Sequence, residues 1–291
     1  MKEQDCLRRF IFEKLGVRGE WVHLRESLQQ VKQFQTLAND AVDSQLGQAL
    51  AAVVLLSATV KFQGSMILQV QGDGDLRALV AQSTNERKIR GLVRSANRVS
   101  GSNLKEMMGA GHLVLTIESE ISEPYQGIVP LEEDSLAAML HTYFMQSEQL
   151  ATRLWLFANK TEAVGLLIQE LPDQKHYQSD WERIEMLADT VTEEEMLRLD
   201  SEEMLYRLFN EEKVRIYEPE SVTFQCNCSR QKISGTLLAL GREELEAIFK
   251  ERDDIEVDCQ FCGEKYRFDK VDVENILLNQ AMGKEGADTQ H

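Results

Sequence analysis

Apolar positions follow a mixed rhythm up to about residue 170 and a helical one for the next fifty residues. Glu26-Ser27-Leu28-Gln29-Gln30-Val31 and the run 44–60 read as helices, and Met66-Ile67-Leu68-Gln69-Val70-Gln71 reads as an apolar-rich strand. Gly72-Asp73-Gly74 closes that strand as a turn; a phosphate-cradling loop would need a third glycine and a Lys-Ser/Thr ending, and both are missing. A strand over 112–117 ends at an acidic turn and Pro124. A helix over 135–146 and strands near 154–157 and 164–169 complete a mixed domain, closed by Pro172 and a polar stretch. The fold class expected is α+β or α/β for this domain.

Beyond it, Trp181, Ile184, Leu187 or Ala188, and Val191 recur at three-to-four spacing and share one helix face. Thr192 with Glu195 three residues on predicts a capping box for a second helix. Met196, Leu197, Leu205, Leu208 and Phe209 add apolar surface among many glutamates. Helices this short and acidic are not stable alone, so they must dock on something. A strand over 222–224, a helix over 242–250, strands over 255–257 and 266–268 and a helix over 273–278 outline a small C-terminal module. The boundaries expected are 1–178, 179–225 and 226–291.

Composition limits the function. With 43% hydrophobic and 28% charged residues, the 291-residue chain has material for a packed core, which excludes collagen-like, mucin-like and wholly disordered readings. Its 49 acidic and 32 basic side chains give a net charge of -17, unsuited to a nucleic-acid backbone or an anionic membrane surface. Segment 179–225 alone holds 14 acidic and 5 basic residues, over half of that net charge. The longest apolar run, 49–56, is too short to span a bilayer and reads as a core helix. No signal-peptide pattern follows the polar start, so the expected compartment is the reducing cytoplasm.

In that compartment the cysteines carry the chemistry. Cys226-Asn227-Cys228 and Cys259-Gln260-Phe261-Cys262 can present four thiolates to one tetrahedral Zn²⁺. Gly263 after the second pair suits a tight knuckle whose amides point at sulfur. A thioredoxin-like redox pair would need only one pair, set in a βαβ pattern. The first pair is Cys-x-Cys where zinc ribbons use Cys-x-x-Cys. From spacing alone a structural zinc site comes first and a redox sensor second; the sensor has a basis because zinc holds sulfur as the reactive thiolate. A module of this size is marginal without a metal staple.

Taken together, Val17-Arg18-Gly19-Glu20, Leu68-Gln69-Val70-Gln71-Gly72-Asp73-Gly74, Arg90-Gly91, Tyr143-Phe144-Met145-Gln146-Ser147-Glu148-Gln149 and the two cysteine pairs closely resemble the 33 kDa chaperonin family, bacterial redox-regulated heat-shock holdases. Ala151 and Ala163-Val164-Gly165 depart from the family's usual turns. The resemblance implies an ATP-independent chaperone, inactive when reduced, with one Zn²⁺ per chain on Cys226, Cys228, Cys259 and Cys262. It further implies disulfides Cys226–Cys228 and Cys259–Cys262 on oxidation, zinc release, melting of the C-terminal module, destabilisation of 179–225, binding of unfolding client proteins and homodimerisation. Cys6 reads as a passive thiol, and Tyr143 to Gln149 as packing or a dimer contact. No enzyme is expected: His23, His112, His141, His176 and His291 show no metal spacing, and a four-cysteine zinc leaves no open position. The remaining alternative is a zinc-stabilised adaptor with a fixed protein partner and no redox switch.

Overall fold

The computed structural model describes residues 4–119, 121, 123–171 and 178–285. The boundary expected near Pro172, part of the acidic turn after residue 117, and His176 and His291 lie outside the described residues. The chain divides into two units, 1–225 and 226–291.

In the first unit the strands are β1 (Cys6–Phe12), β2 (Val17–Leu24), β3 (Gly64–Gly72), β4 (Leu76–Thr84), β5 (Lys88–Ser95) and β6 (Gly111–Ser119). They continue with β7 (Tyr125–Pro130), β8 (Thr152–Ala158), β9 (Ala163–Glu170), β10 (Val214–Ile216), β11 (Glu220–Ser221) and β12 (Thr223–Phe224). The helices are α1 (Glu26–Lys32), α2 (Asp40–Thr59), α3 (Leu104–Met108), α4 (Leu136–Tyr143), α5 (Gln178–Ala188), α6 (Glu193–Arg198) and α7 (Ser201–Phe209). One sheet has the order β10-β1-β2-β9-β8 with β11 also beside β1; the other has the order β12-β5-β4-β3-β6-β7. Every pairing is antiparallel except that of β12 with β5. The fold is therefore mixed, and of the two patterns expected it follows the α+β one.

The long apolar run becomes α2, packed against strands of both sheets, with 78% of its apolar window buried. It starts earlier than expected because the Asn39 side chain accepts from the Val42 amide at 3.0 Å. At its other end the Arg18 guanidinium donates to the Thr59 carbonyl at 2.8 Å, a cation on the negative pole of the helix. The Gly-Asp-Gly turn is structural. The Asp73 and Gly74 amides donate to the Ala110 and Met108 carbonyls, and a Cβ on Gly74 would lie 2.5 Å from the Met107 carbonyl oxygen. The helix expected over 135–146 ends at Tyr143 and widens into a π turn, Phe144–Glu148. There the Tyr125 and Tyr143 hydroxyls both donate to Glu148, at 2.8 and 2.9 Å.

The first sheet is buried on both faces. Its inner face packs on α2. Its outer face presents Phe10, Phe12, Val17, Trp21, Val164, Leu166 and Ile168, with Trp155 and Phe157 at the side, and α5 to α7 lie over it. Ile184, Ala188 and Val191 are buried there and Trp181 and Leu187 partly so, as the helical spacing predicts. Phe209 meets Phe12 edge-on, ring centroids 4.8 Å apart. The Thr192–Glu195 capping box forms, and a second one at Asp200 and Glu203 starts α7. Polar fastening is at the rim: Arg153 pairs with Glu185 and Asp189 at 3.1 and 3.3 Å, and the Trp155 indole donates to Asp189 at 3.1 Å.

Residues 214–224 then run as a strap along both sheets. β10 and β11 pair with β1, and β12 pairs with β5. The strand expected over 222–224, leading to the first cysteine pair, forms at Thr223–Phe224; it lies beside Lys88 and Ile89, and the Thr223 and Gln225 amides donate to the Arg87 and Ile89 carbonyls. The Glu220 carboxylate bridges Arg9 of the first sheet at 2.5 Å and Arg87, in the turn that enters β5 of the second, at 3.2 Å.

Candidate metal centre

All four cysteines of the predicted cluster lie in the second unit. Its scaffold is α8 (Arg230–Leu240), α9 (Arg242–Glu251), the hairpin β13 (Asp254–Asp258) and β14 (Lys265–Asp269), and α10 (Lys270–Glu285). α8 was not expected; Ser229 begins it by accepting from the Lys232 amide. The core is small: Leu237, Leu245, Ile255, Phe268 and Val273 are its buried apolar residues among those described. Arg230 lies 4.2 Å from the Phe268 ring centroid and pairs with Asp272 at 2.6 Å, so one side chain ties α8, β14 and α10 together.

The second cysteine pair sits on the β13–β14 turn. The Gly263 amide donates to the Cys259 carbonyl at 2.7 Å and the Cys259 amide to the Glu264 carbonyl at 2.8 Å, closing a knuckle. Gly263 takes φ 69°, which a residue without Cβ adopts freely. The amide of Cys228 donates to the Cys226 sulfur and that of Glu264 to the Cys262 sulfur, so backbone dipoles point at thiolate positions in both pairs.

The four sulfurs lie within 4.8 Å of one another, with Cys226 to Cys259 at 3.7 Å and Cys228 to Cys262 at 3.4 Å. A tetrahedral site with Zn–S bonds of about 2.3 Å separates its sulfurs by about 3.8 Å. The cluster therefore fits one such ion. Burial pushes the Cys228 and Cys262 thiols up. The Cys226 thiol is held low, where burial is outweighed by the Cys228 amide and neighbouring thiols. Four sulfurs this close cannot all be thiolates without a cation among them.

Sequence spacing missed one contributor. The Tyr266 hydroxyl donates to the Cys228 sulfur at 3.2 Å. A hydroxyl on β14 orients that sulfur and draws charge from it, a role no cysteine spacing marks. Tyr266→Phe is expected to weaken zinc binding about tenfold, read by competition with a chromogenic chelator, with the fold unchanged. Among the described residues no histidine joins the cluster: His23 pairs with Glu162 at 2.8 Å, and His141 bonds the Thr152 carbonyl at 2.8 Å.

Comparison with known proteins follows this architecture along nearly the full chain. A family model described as Hsp33 protein matches residues 5–269. The 33 kDa chaperonin of Nitrosococcus oceani is 55% identical over 280 residues, covering 96% of each chain. That of Shewanella sediminis is 40% identical over 277 residues, covering 95% of this chain and 96% of its own. The crystal structure of the 33 kDa chaperonin from Thermotoga maritima superposes with a TM-score of 0.81 at 25% identity, over 95% of this chain and 99% of that one.

Proposed function

The chain belongs to the Hsp33 chaperone family, and from that premise we propose that it is an ATP-independent holdase switched on by oxidation, with zinc on Cys226, Cys228, Cys259 and Cys262 keeping the resting state. The observation that carries this reading is the pairing of a four-sulfur cluster with an outer sheet face that is apolar and covered. Bound zinc supplies the charge that holds four sulfurs together. Oxidation to Cys226–Cys228 and Cys259–Cys262 disulfides withdraws two electrons per bond and removes the ligands, and the small second core loses its staple. The covering segment ends at Gln225, next in the chain to Cys226. Helices held by docking are the low-stability part of the first unit, and their release bares Phe10, Phe12, Trp21 and their neighbours to unfolding clients. The active form is a homodimer, the compartment cytoplasmic, and no nucleic acid or membrane takes part.

Peroxide with mild heat is expected to release one zinc per chain, form the two neighbour disulfides and switch on suppression of citrate synthase aggregation. Peptide mapping that finds Cys226–Cys259 and Cys228–Cys262 bonds would refute the pairing. An oxidised protein as inactive as the reduced one would leave the fixed-partner adaptor as the better description.

A further inference from the structure

We propose that the strap over residues 214–224 is a removable edge cover, and that its departure opens the outer edge of β1, together with the start of β5, to an extended segment of an unfolding protein that adds as a further strand. The inference rests on the oxidative release proposed above and specifies a binding mode that release alone does not.

The strap is attached through the backbone along both sheets. The Glu13 amide donates to the Lys213 carbonyl, the Tyr217 amide to that of Arg9, and the Val222 amide to that of Asp5, at 2.8 to 2.9 Å. Farther on, the Thr223 and Gln225 amides donate to the Arg87 and Ile89 carbonyls at 3.2 and 3.0 Å. Without the strap these groups of β1 and β5 face outward unpaired, which makes a strand template. The cover is built to be weak: its strands are three, two and two residues long and are broken by Pro219. Its charged clasps are Glu220 across Arg9 and Arg87, and the exposed pair of Arg215 with Glu13.

The strap also shows what fits. Val214 and Ile216 pack against the outer-face cluster beside Phe10 and Phe12, while Arg215 between them is exposed. A replacement strand therefore places apolar residues at alternate positions, continuing the aromatic face, and turns polar ones to solvent. Unfolding proteins expose such segments with free backbone groups; folded ones keep both inside. Strand addition gives affinity through the main chain and tolerates many sequences, as a general holdase requires.

Hydrogen exchange on the wild-type full chain tests this in three states: reduced with zinc, oxidised, and oxidised with thermally unfolded citrate synthase. Oxidation should speed exchange in 213–225 and β1 by about tenfold or more. Client should slow β1 again while 213–225 stays fast. If β1 stays fast with client bound, the inference is overturned. It is overturned equally if β1 regains protection without client as protein concentration rises, because a second copy then takes the edge. If zinc leaves and aggregation is suppressed while 213–225 keeps its resting protection, the edge inference falls and the redox reading stands. If oxidation gives neither zinc loss nor activity, both fall.

Discussion

Stripping zinc from the reduced protein should melt residues 226–285 and leave the first unit folded. The second unit has five buried apolar residues among those described, and a core of that size supplies at most a few kcal/mol. A structural zinc contributes about 10–16 kcal/mol of apparent binding energy in small finger modules, far above that margin. Cys262→Ser should have the same effect, because three sulfurs and a hydroxyl close the site poorly. The measurement is metal content together with exchange protection. Freshly reduced wild type should carry one zinc and protect β13 and β14. A second unit that keeps its protection after chelation would show that the metal is not its staple.

Changing Ile184 and Phe209 to serine should give a chaperone that needs no oxidant. Both side chains are buried against the outer face of the first sheet, Ile184 fully, and Phe209 packs edge-on to Phe12. Truncating such residues costs about 2–5 kcal/mol each. α5, α6 and α7 have 11, 6 and 9 residues, so intrinsic helix stability cannot replace the lost packing. The exposed ion pairs at the rim add little. The reduced double variant should bind an apolar dye, suppress client aggregation, and retain its zinc. A variant that is folded, zinc-loaded and as silent as wild type would mean that these helices do not govern the apolar face.

Local patterns were legible in the sequence and non-local ones were not. The face with Ile184 and Val191 and the Thr192–Glu195 box depend on neighbours three or four residues away, and both formed. β2 went unread because Arg18, Glu20 and His23 interrupt its apolar pattern. In the fold Glu20 and His23 are buried: His23 pairs with Glu162, and burial pushes the Glu20 carboxyl up to about 7 against the pull of Arg18, Arg9 and Arg87. Partners distant in the chain make those polar residues affordable inside a strand. The strand at Thr223–Phe224 was legible but its partner was not, for the same reason, since only the fold brings Lys88 and Ile89 beside it. The cysteine cluster was readable because metal ligation imposes short spacings; the Tyr266 hydroxyl obeys no such rule.

The first sheet has one apolar cluster on each face, and its strands contribute alternate residues to the two. Leu7 faces inward while Phe10 and Phe12 face outward on the same strand. Substitutions at inward positions therefore set the temperature at which the first unit itself is lost. Under the proposed switch, substitutions at outward positions set how tightly the resting protein is kept silent. Selection would then adjust the alarm threshold to a hotter or more oxidising habitat along one set of positions, without rebuilding the scaffold that must survive the alarm.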